Sequence, residues 1–180
     1  MDSQFHDMLF ERHSIRRYTD QSLDPEVVKQ ILEAGLLAPS SKSARPWQFI
    51  VVEDKPTLER LSKCKKVGSR SLAGCALAIV VISDPEKSDV YIEDASVAAT
   101  MMHLQACALG VGSCWIQIRN RFDAAEEPTA DIVRSLLGIP ASLEPVCMLS
   151  CGMPDEQRRP VDPDKLLWQK VHIGQWSERE

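Results

Sequence analysis

The sequence predicts a single domain that mixes helices and strands, α/β or α+β in class. Three observations carry that expectation. Helix-like and strand-like segments alternate along the chain. The run Ala76 to Ile82 is almost wholly apolar, as a strand covered on both faces must be. The length, 180 residues, suits one domain, and a chain near this size buries roughly 70% of its unfolded surface, enough for a core without staples.

Each element has a local cause. Asp24-Pro25-Glu26 is a helix start: a capping carboxylate, a proline at the first helical position, an acid near the positive end. Val27, Val28, Ile31, Leu32 and Leu36 follow at helical spacing, and Pro39 stops the helix. Phe49 to Val52 is a short β-branched run between turn signals and reads as a strand. Asp54 to Lys63 reads as an amphipathic helix, and Asp84-Pro85 ends the apolar strand that starts at Ala76. Tyr91 to Leu109 is the longest helical segment. Apolar residues nearly encircle it, so it is expected to be buried, within the chain or against a partner subunit; Met101 and Met102 read as gap-filling core residues. Gly110 and Gly112 close it, and Cys114-Trp115-Ile116 opens another strand. Ala130 to Leu137 is a helix stopped by Gly138, and Val146 to Ser150 is the last strand. No repeat or low-complexity tract interrupts the series.

Composition narrows the function classes. The chain is 44% hydrophobic, too much for disorder. Its net charge of −5 offers no global basic excess for nucleic acid. No stretch approaches the ~18 apolar residues of a spanning helix, and the first residues show no signal-peptide pattern. Six cysteines are scattered without a C-x-x-C pair or zinc spacing, so reduced, mostly buried thiols in a cytoplasmic protein are expected, and no metal. Cys147 and Cys151 fall on one face of a strand, where packing explains them. His103 lies inside the long helix and reads as hydrogen-bonded structure.

Two segments could carry chemistry. In Arg12-His13-Ser14-Ile15-Arg16-Arg17-Tyr18, an extended backbone puts Arg12, Ser14 and Arg16 on one side, a set suited to a phosphate or another anion. A solvated basic stretch is the competing reading. The loop Ala38 to Trp47 is rich in hydroxyls and flanked by prolines, so a ligand could approach its backbone; an ordinary turn is the alternative. Trp47 either stacks on a ligand or covers the core edge.

Together the two segments resemble the nitroreductase family of flavin enzymes. Glu11 to Tyr18 is similar to its R-x-S-x-R-x-[FY] opening, and APSSKSARPWQFIVV (38–52) to its APS…N-x-Q-P-W-x-F-x-V-V segment. GVGSCWI (110–116) resembles G-x-G-[ST]-C-W-[IL], and LGIP (137–140) followed by Gly152-Met153-Pro154 resembles LGIP…GYP. Four motifs in order, from about residue 8 to about 160, are far more specific than any one.

The resemblance implies an α+β fold, with a central, mostly antiparallel sheet flanked by helices, in an intertwined homodimer. It implies one FMN-binding domain over 1–180, with 160–180 as a C-terminal extension. FMN is expected non-covalently at the subunit interface. Arg12, His13, Ser14 and Arg16 would bind it from one subunit, and Pro39, Ser40, Ser41 and Ser43 from the other. Arg158 or Arg159 would hold the phosphate, and the backbone at Ile116 and Gln117 would lie near flavin N5. The implied activity is electron transfer from NADH or NADPH to nitroaromatics, quinones or similar acceptors by a ping-pong cycle, with no catalytic acid or nucleophile from the protein. Ser43 stands where the family often has Asn, and Arg45 where it has Gln. These departures motivate the alternative of a flavin-binding or sensing protein with little turnover. Arg45 itself could favour an anionic substrate or only form a salt bridge.

Overall fold

The computed structural model describes residues 4–178. Two compact units share the chain: residues 13–157 form the larger, and the N-terminal residues through Arg12 join those from Arg158 onward in the smaller.

The larger unit is built on four strands, β1 (Trp47–Val52), β2 (Leu77–Ser83), β3 (Gly112–Gln117) and β4 (Glu144–Gly152). They lie in the order β1-β2-β4-β3, and every neighbouring pair is antiparallel. All seven residues of β2 are buried, as the apolar run predicts. Its side chains alternate between two cores. Leu77, Ile79 and Val81 join Ile31, Ala95, Met102 and Leu149 on one face. Ala78, Val80 and Ile82 join Leu58, Leu61, Val133 and Met148 on the other. Period-two alternation between two helical layers is what makes a strand apolar throughout.

Helix α1 (Gln4–Glu11) belongs to the smaller unit; α2 (Pro25–Leu36), α3 (Lys55–Leu61), α4 (Tyr91–Ala108) and α5 (Thr129–Leu137) belong to the larger. The Asp24 and Asp54 carboxylates accept from the N–H groups of Glu26 and Thr57, capping α2 and α3. Gly138 ends α5 in the left-handed conformation, at φ 65°. Gly35 lets α2 approach the long helix α4 and the sheet closely: a Cβ there would sit 2.8 Å from Met102 Sδ of α4 and 3.0 Å from Phe49 Cζ of β1.

Helix α4 departs from an all-round burial. Ala95, Ala98, Ala99, Met102 and Ala106 are enclosed on one stripe, while Val97 is 40% exposed and Met101 and Leu104 are half-buried. Of the two methionines, Met102 is core and Met101 lies at an open face of the single chain. Trp47 is core as well, packed with Ala38 and Ala98. In the smaller unit, Val161 N–H bonds to Phe10 O at 2.9 Å. Trp168 and Trp176 there are 68% and 75% exposed, an unusual outlay of large aromatics.

No disulfide joins any of the six cysteines, and Cys107 alone among them is not fully buried. Burial pushes the Cys64 and Cys75 thiols up to about 11, from an ordinary 9.0. Above pH 9 the unfolded chain releases these protons while the folded chain retains them, so unfolding releases protons. Stability is therefore fully present below pH 9 and falls as pH rises from 9 through 11. Urea midpoints measured across that window should decline, and less so in a Cys64→Ala, Cys75→Ala double variant relative to its own value at pH 8.

Candidate functional site

The segment from His13 to Thr19 is strapped to the larger unit through its backbone. Ser14 pairs with Ser113 in an isolated parallel bridge, and Ile15 N–H donates to Ser113 O at 3.0 Å. Thr19 N–H donates to Met153 O at 2.9 Å. A single Glu156 carboxylate oxygen accepts from the N–H groups of Arg16 at 2.6 Å and Arg17 at 3.2 Å. The Tyr18 hydroxyl donates to Ile15 O at 2.5 Å and lies 2.8 Å from Ser150 Oγ. Burial pushes its pKa well above 10, so it stays a neutral donor. With the backbone held this way, the Arg16 and Arg17 side chains are exposed.

Two motif glycines make the docking possible. A Cβ on Gly112 would stand 2.8 Å from Ile15 Cγ2, and one on Gly152 3.0 Å from the Tyr18 ring. Gly112 therefore opens β3 rather than ending α4, and the strand begins two residues before the expected Cys114.

Strand β3 is an edge strand. Ser113 O points off that edge to Ile15, so the alternation of an antiparallel pair turns the backbone groups of Trp115 and Gln117 the same way. Gln117 O accepts from Lys65 Nζ at 3.0 Å. Burial lowers the Lys65 pKa. The Gln117 side chain is held by Trp115 Nε1 at 3.0 Å and by Arg119 O at 3.1 Å. The Ile116 side chain is fully buried and, by the same alternation, its backbone groups turn toward β4, so the expected backbone contact falls to Gln117 rather than Ile116.

The loop from Pro39 to Arg45 is the most strained segment of the larger unit. Lys42, Ser43 and Arg45 all have left-handed backbones, at φ 51°, 55° and 46°. Non-glycine residues take this conformation at a cost of about 1–3 kcal/mol each unless their surroundings impose it. The imposing contacts are visible. Ser40 Oγ accepts from Arg45 N–H at 2.9 Å, and Ser43 N–H donates to Ser40 O at 3.1 Å. The buried Asp94 carboxylate accepts from Ser41 N–H at 2.8 Å and from Ser88 Oγ–H at 2.7 Å. Pro39 and Ser43 are exposed, while Ser40 and Ser41 are half-buried. The Arg45 side chain is exposed, and no salt bridge to it is found among the described residues.

The two candidate segments are not brought together within one chain. Ser14 docks against β3, whereas the Pro39–Arg45 loop runs into β1 at the opposite edge of the sheet. Three interstrand spacings, about 14 Å, separate those edges. Helix α4 serves both: Asp94 in its first turn holds the loop, and His103 Nδ1, 2.5 Å from Ser113 Oγ, supports the strand on which Ser14 docks. The open stripe with Val97, Met101 and Leu104 lies between.

His13 is half-buried, and its Nε2 is enclosed without a hydrogen-bond partner. An imidazole nitrogen in that position is a ready contact for a ligand atom. Of the remaining candidates, Arg12 follows α1 directly and is half-buried, and Arg158 and Arg159 are exposed; all three belong to the smaller unit. Sequence reasoning missed Asp94, Lys65 and Glu156. Asp94 had a signal: it is the one charge on the otherwise apolar stripe 94, 95, 98, 102, 106 of α4. Among the described residues no metal-binding cluster is present, and no helix is long and apolar enough to cross a membrane.

The chain is thus an α+β domain whose antiparallel sheet, covered by helices on both faces, carries a strapped basic segment at one edge and a strained hydroxyl loop at the other. The sequence profile of the nitroreductase family matches residues 9–68 and 61–153, and the chain belongs to that family. An FMN-dependent nitroreductase from Clostridium difficile R20291 is 45% identical, with a TM-score of 0.92 over 95% of this chain and 99% of that one. A nitroreductase provisionally assigned in Desulfovibrio desulfuricans, solved with FMN bound, is 26% identical over 96% of this chain and all of that one, with a TM-score of 0.74. A protein of Archaeoglobus fulgidus, provisionally assigned as an NADH dehydrogenase/NAD(P)H nitroreductase, is 33% identical over 94% of this chain and 97% of its own length.

Proposed function

We propose that the protein is an FMN-dependent oxidoreductase that passes electrons from NADH or NADPH to quinones, nitroaromatics or similar small acceptors. It works as a homodimer in the cytoplasm, its FMN pockets shared between subunits, and all 180 residues form one functional domain. The observation that carries this reading is the separation of the two candidate segments onto opposite sheet edges, joined by a helix with an open apolar stripe. A second copy set against that stripe supplies each pocket with the missing half, and apolar helix faces of this kind suit obligate interfaces.

The residues present fit FMN. Its phosphate is a dianion, and Arg12 with Arg158 or Arg159 supplies guanidinium forks for it. His13 offers an unpartnered Nε2, and Ser14 a hydroxyl. Arg16 adds a fixed positive charge, which favours the reduced, anionic form of the cofactor and raises its potential. Pro39, Ser40, Ser41 and Ser43 would offer the ring a preset loop, and the Gln117 N–H, which faces off the β3 edge beside Ile116, would be the backbone donor near N5. FMN, when bound, supplies the hydride-accepting ring and returns the electrons to the acceptor. The protein binds and orients; it contributes no acid or nucleophile. Donor and acceptor take turns in one slot, so product leaves before the second substrate enters.

Purified protein should be yellow and should oxidise NADH or NADPH with a quinone. Double-reciprocal plots at several fixed acceptor concentrations should be parallel. A colourless protein that takes up FMN no tighter than micromolar would overturn the proposal. FMN-loaded protein that stays oxidised under excess nicotinamide would favour a flavin-binding or sensing role.

A further inference from the structure

We infer that Asp94 is a positioning residue for the flavin loop: its buried carboxylate sets the backbone of Ser40–Arg45 in the conformation that receives the cofactor from the partner subunit. The inference rests on the reading of that loop as a cofactor contact.

Three observations converge on it. Asp94 is 5% exposed, yet it sits on the stripe of α4 that otherwise packs alanines and Met102. A carboxylate is costly in such surroundings unless it is hydrogen-bonded. Both oxygens are used: one takes the Ser41 N–H, the other the Ser88 hydroxyl. No cation is paired with Asp94, so the charge is met by hydrogen-bond donors alone among the described residues. Lastly, the segment it holds contains three left-handed residues in four positions, 42, 43 and 45, which the chain would not adopt unaided.

The physical chain is direct. Ser41 N–H is the first donor of the short 3-10 turn Ser41–Ser43. Fixing it fixes the entry of the turn, and the Ser40 hydroxyl staples the exit through Arg45 N–H. Between the two anchors the turn stands out with Ser43 exposed. Asp94 is buried with both oxygens engaged by Ser41 and Ser88, so it acts through Ser41. Removing it leaves the Ser41 N–H and the Ser88 hydroxyl without their acceptor, and the strained loop relaxes.

The test measures FMN affinity by fluorescence on FMN-stripped protein, together with the visible spectrum of the bound flavin. Asp94→Ala is expected to weaken FMN by roughly 10- to 100-fold, the equivalent of one or two lost charge-assisted hydrogen bonds, and to shift the flavin bands. Asp94→Asn keeps an oxygen for the Ser41 N–H and an amide that Ser88 Oγ can accept, so it should rescue both affinity and spectrum. Asp94→Glu keeps the charge but displaces the acceptor by a methylene, and should stay impaired; it is the working variant should Asp94→Ala not fold. If both Asp94→Ala and Asp94→Glu bind FMN with wild-type affinity and spectrum, the inference is wrong. Failure of the wild-type protein to bind FMN is a separate result, which removes the function proposed above.

Discussion

A mixed dimer of Arg12→Glu and Ser41→Trp chains is expected to carry about half the flavin of the wild-type dimer, although neither variant alone holds it. On the reading that Arg12 contacts the FMN phosphate, Arg12→Glu replaces an attracting charge with a repelling one, which should weaken FMN about 100-fold or more. Ser41→Trp forces a large ring into the half-buried anchor of the strained loop. If each pocket draws Arg12 from one chain and Ser41 from the other, the mixed dimer has one pocket with both defects and one with neither. If each pocket lay within one chain, both pockets of the mixed dimer would be defective. Co-expression with two affinity tags, sequential purification and a flavin absorbance reading separate the two arrangements. A mixed dimer without flavin would sink the shared-pocket reading.

Ile79→Ala is expected to be the most destabilising simple truncation, at about 2–5 kcal/mol. Ile79 is fully buried in the middle of β2, paired with Val51 on one side and Leu149 on the other. Its side chain lies in the core between the sheet and helices α2 and α4. Neighbours from three directions leave little room to collapse into the cavity. Ile79→Val removes one methylene and should cost about 0.5–1.5 kcal/mol. Urea unfolding at fixed FMN and protein concentration reads both values, since ligand and partner shift the apparent stability. Equal midpoints for the alanine variant and the wild type would contradict the placement of Ile79.

Much of this architecture was legible before any coordinates. Asp24-Pro25 starts α2 because a cap carboxylate and a proline act within one turn. β2 reads as a doubly covered strand because burial on both faces keeps Leu77 to Ile82 apolar, with Ser83 at its end the one polar residue. Within the candidate site, the motifs at 12–18, 38–47 and 110–116 were found as words, and the structure shows why some letters are needed. Gly112 is small because Ile15 presses on it, and Tyr18 carries a hydroxyl because Ile15 O and Ser150 await one. Helix α1 left little trace in the sequence pattern, because it buries no residue fully. The open stripe on α4 was also hidden. Apolar residues surround the helix, and only packing reveals which stripe the single chain covers.

The sequence by itself determined the elements of the larger unit, their order and the family, because caps, alternation and short motifs are local chemistry read within a few residues. Only the tertiary structure decided that the basic segment and the hydroxyl loop stand on opposite edges of one sheet. Strand order β1-β2-β4-β3 is a long-range property, set by how the two helical layers bury both faces of β2 and β4, and no local pattern encodes it. The same reason hid Asp94: a carboxylate 53 positions from Ser41 becomes its partner only when α4 is laid beneath the loop.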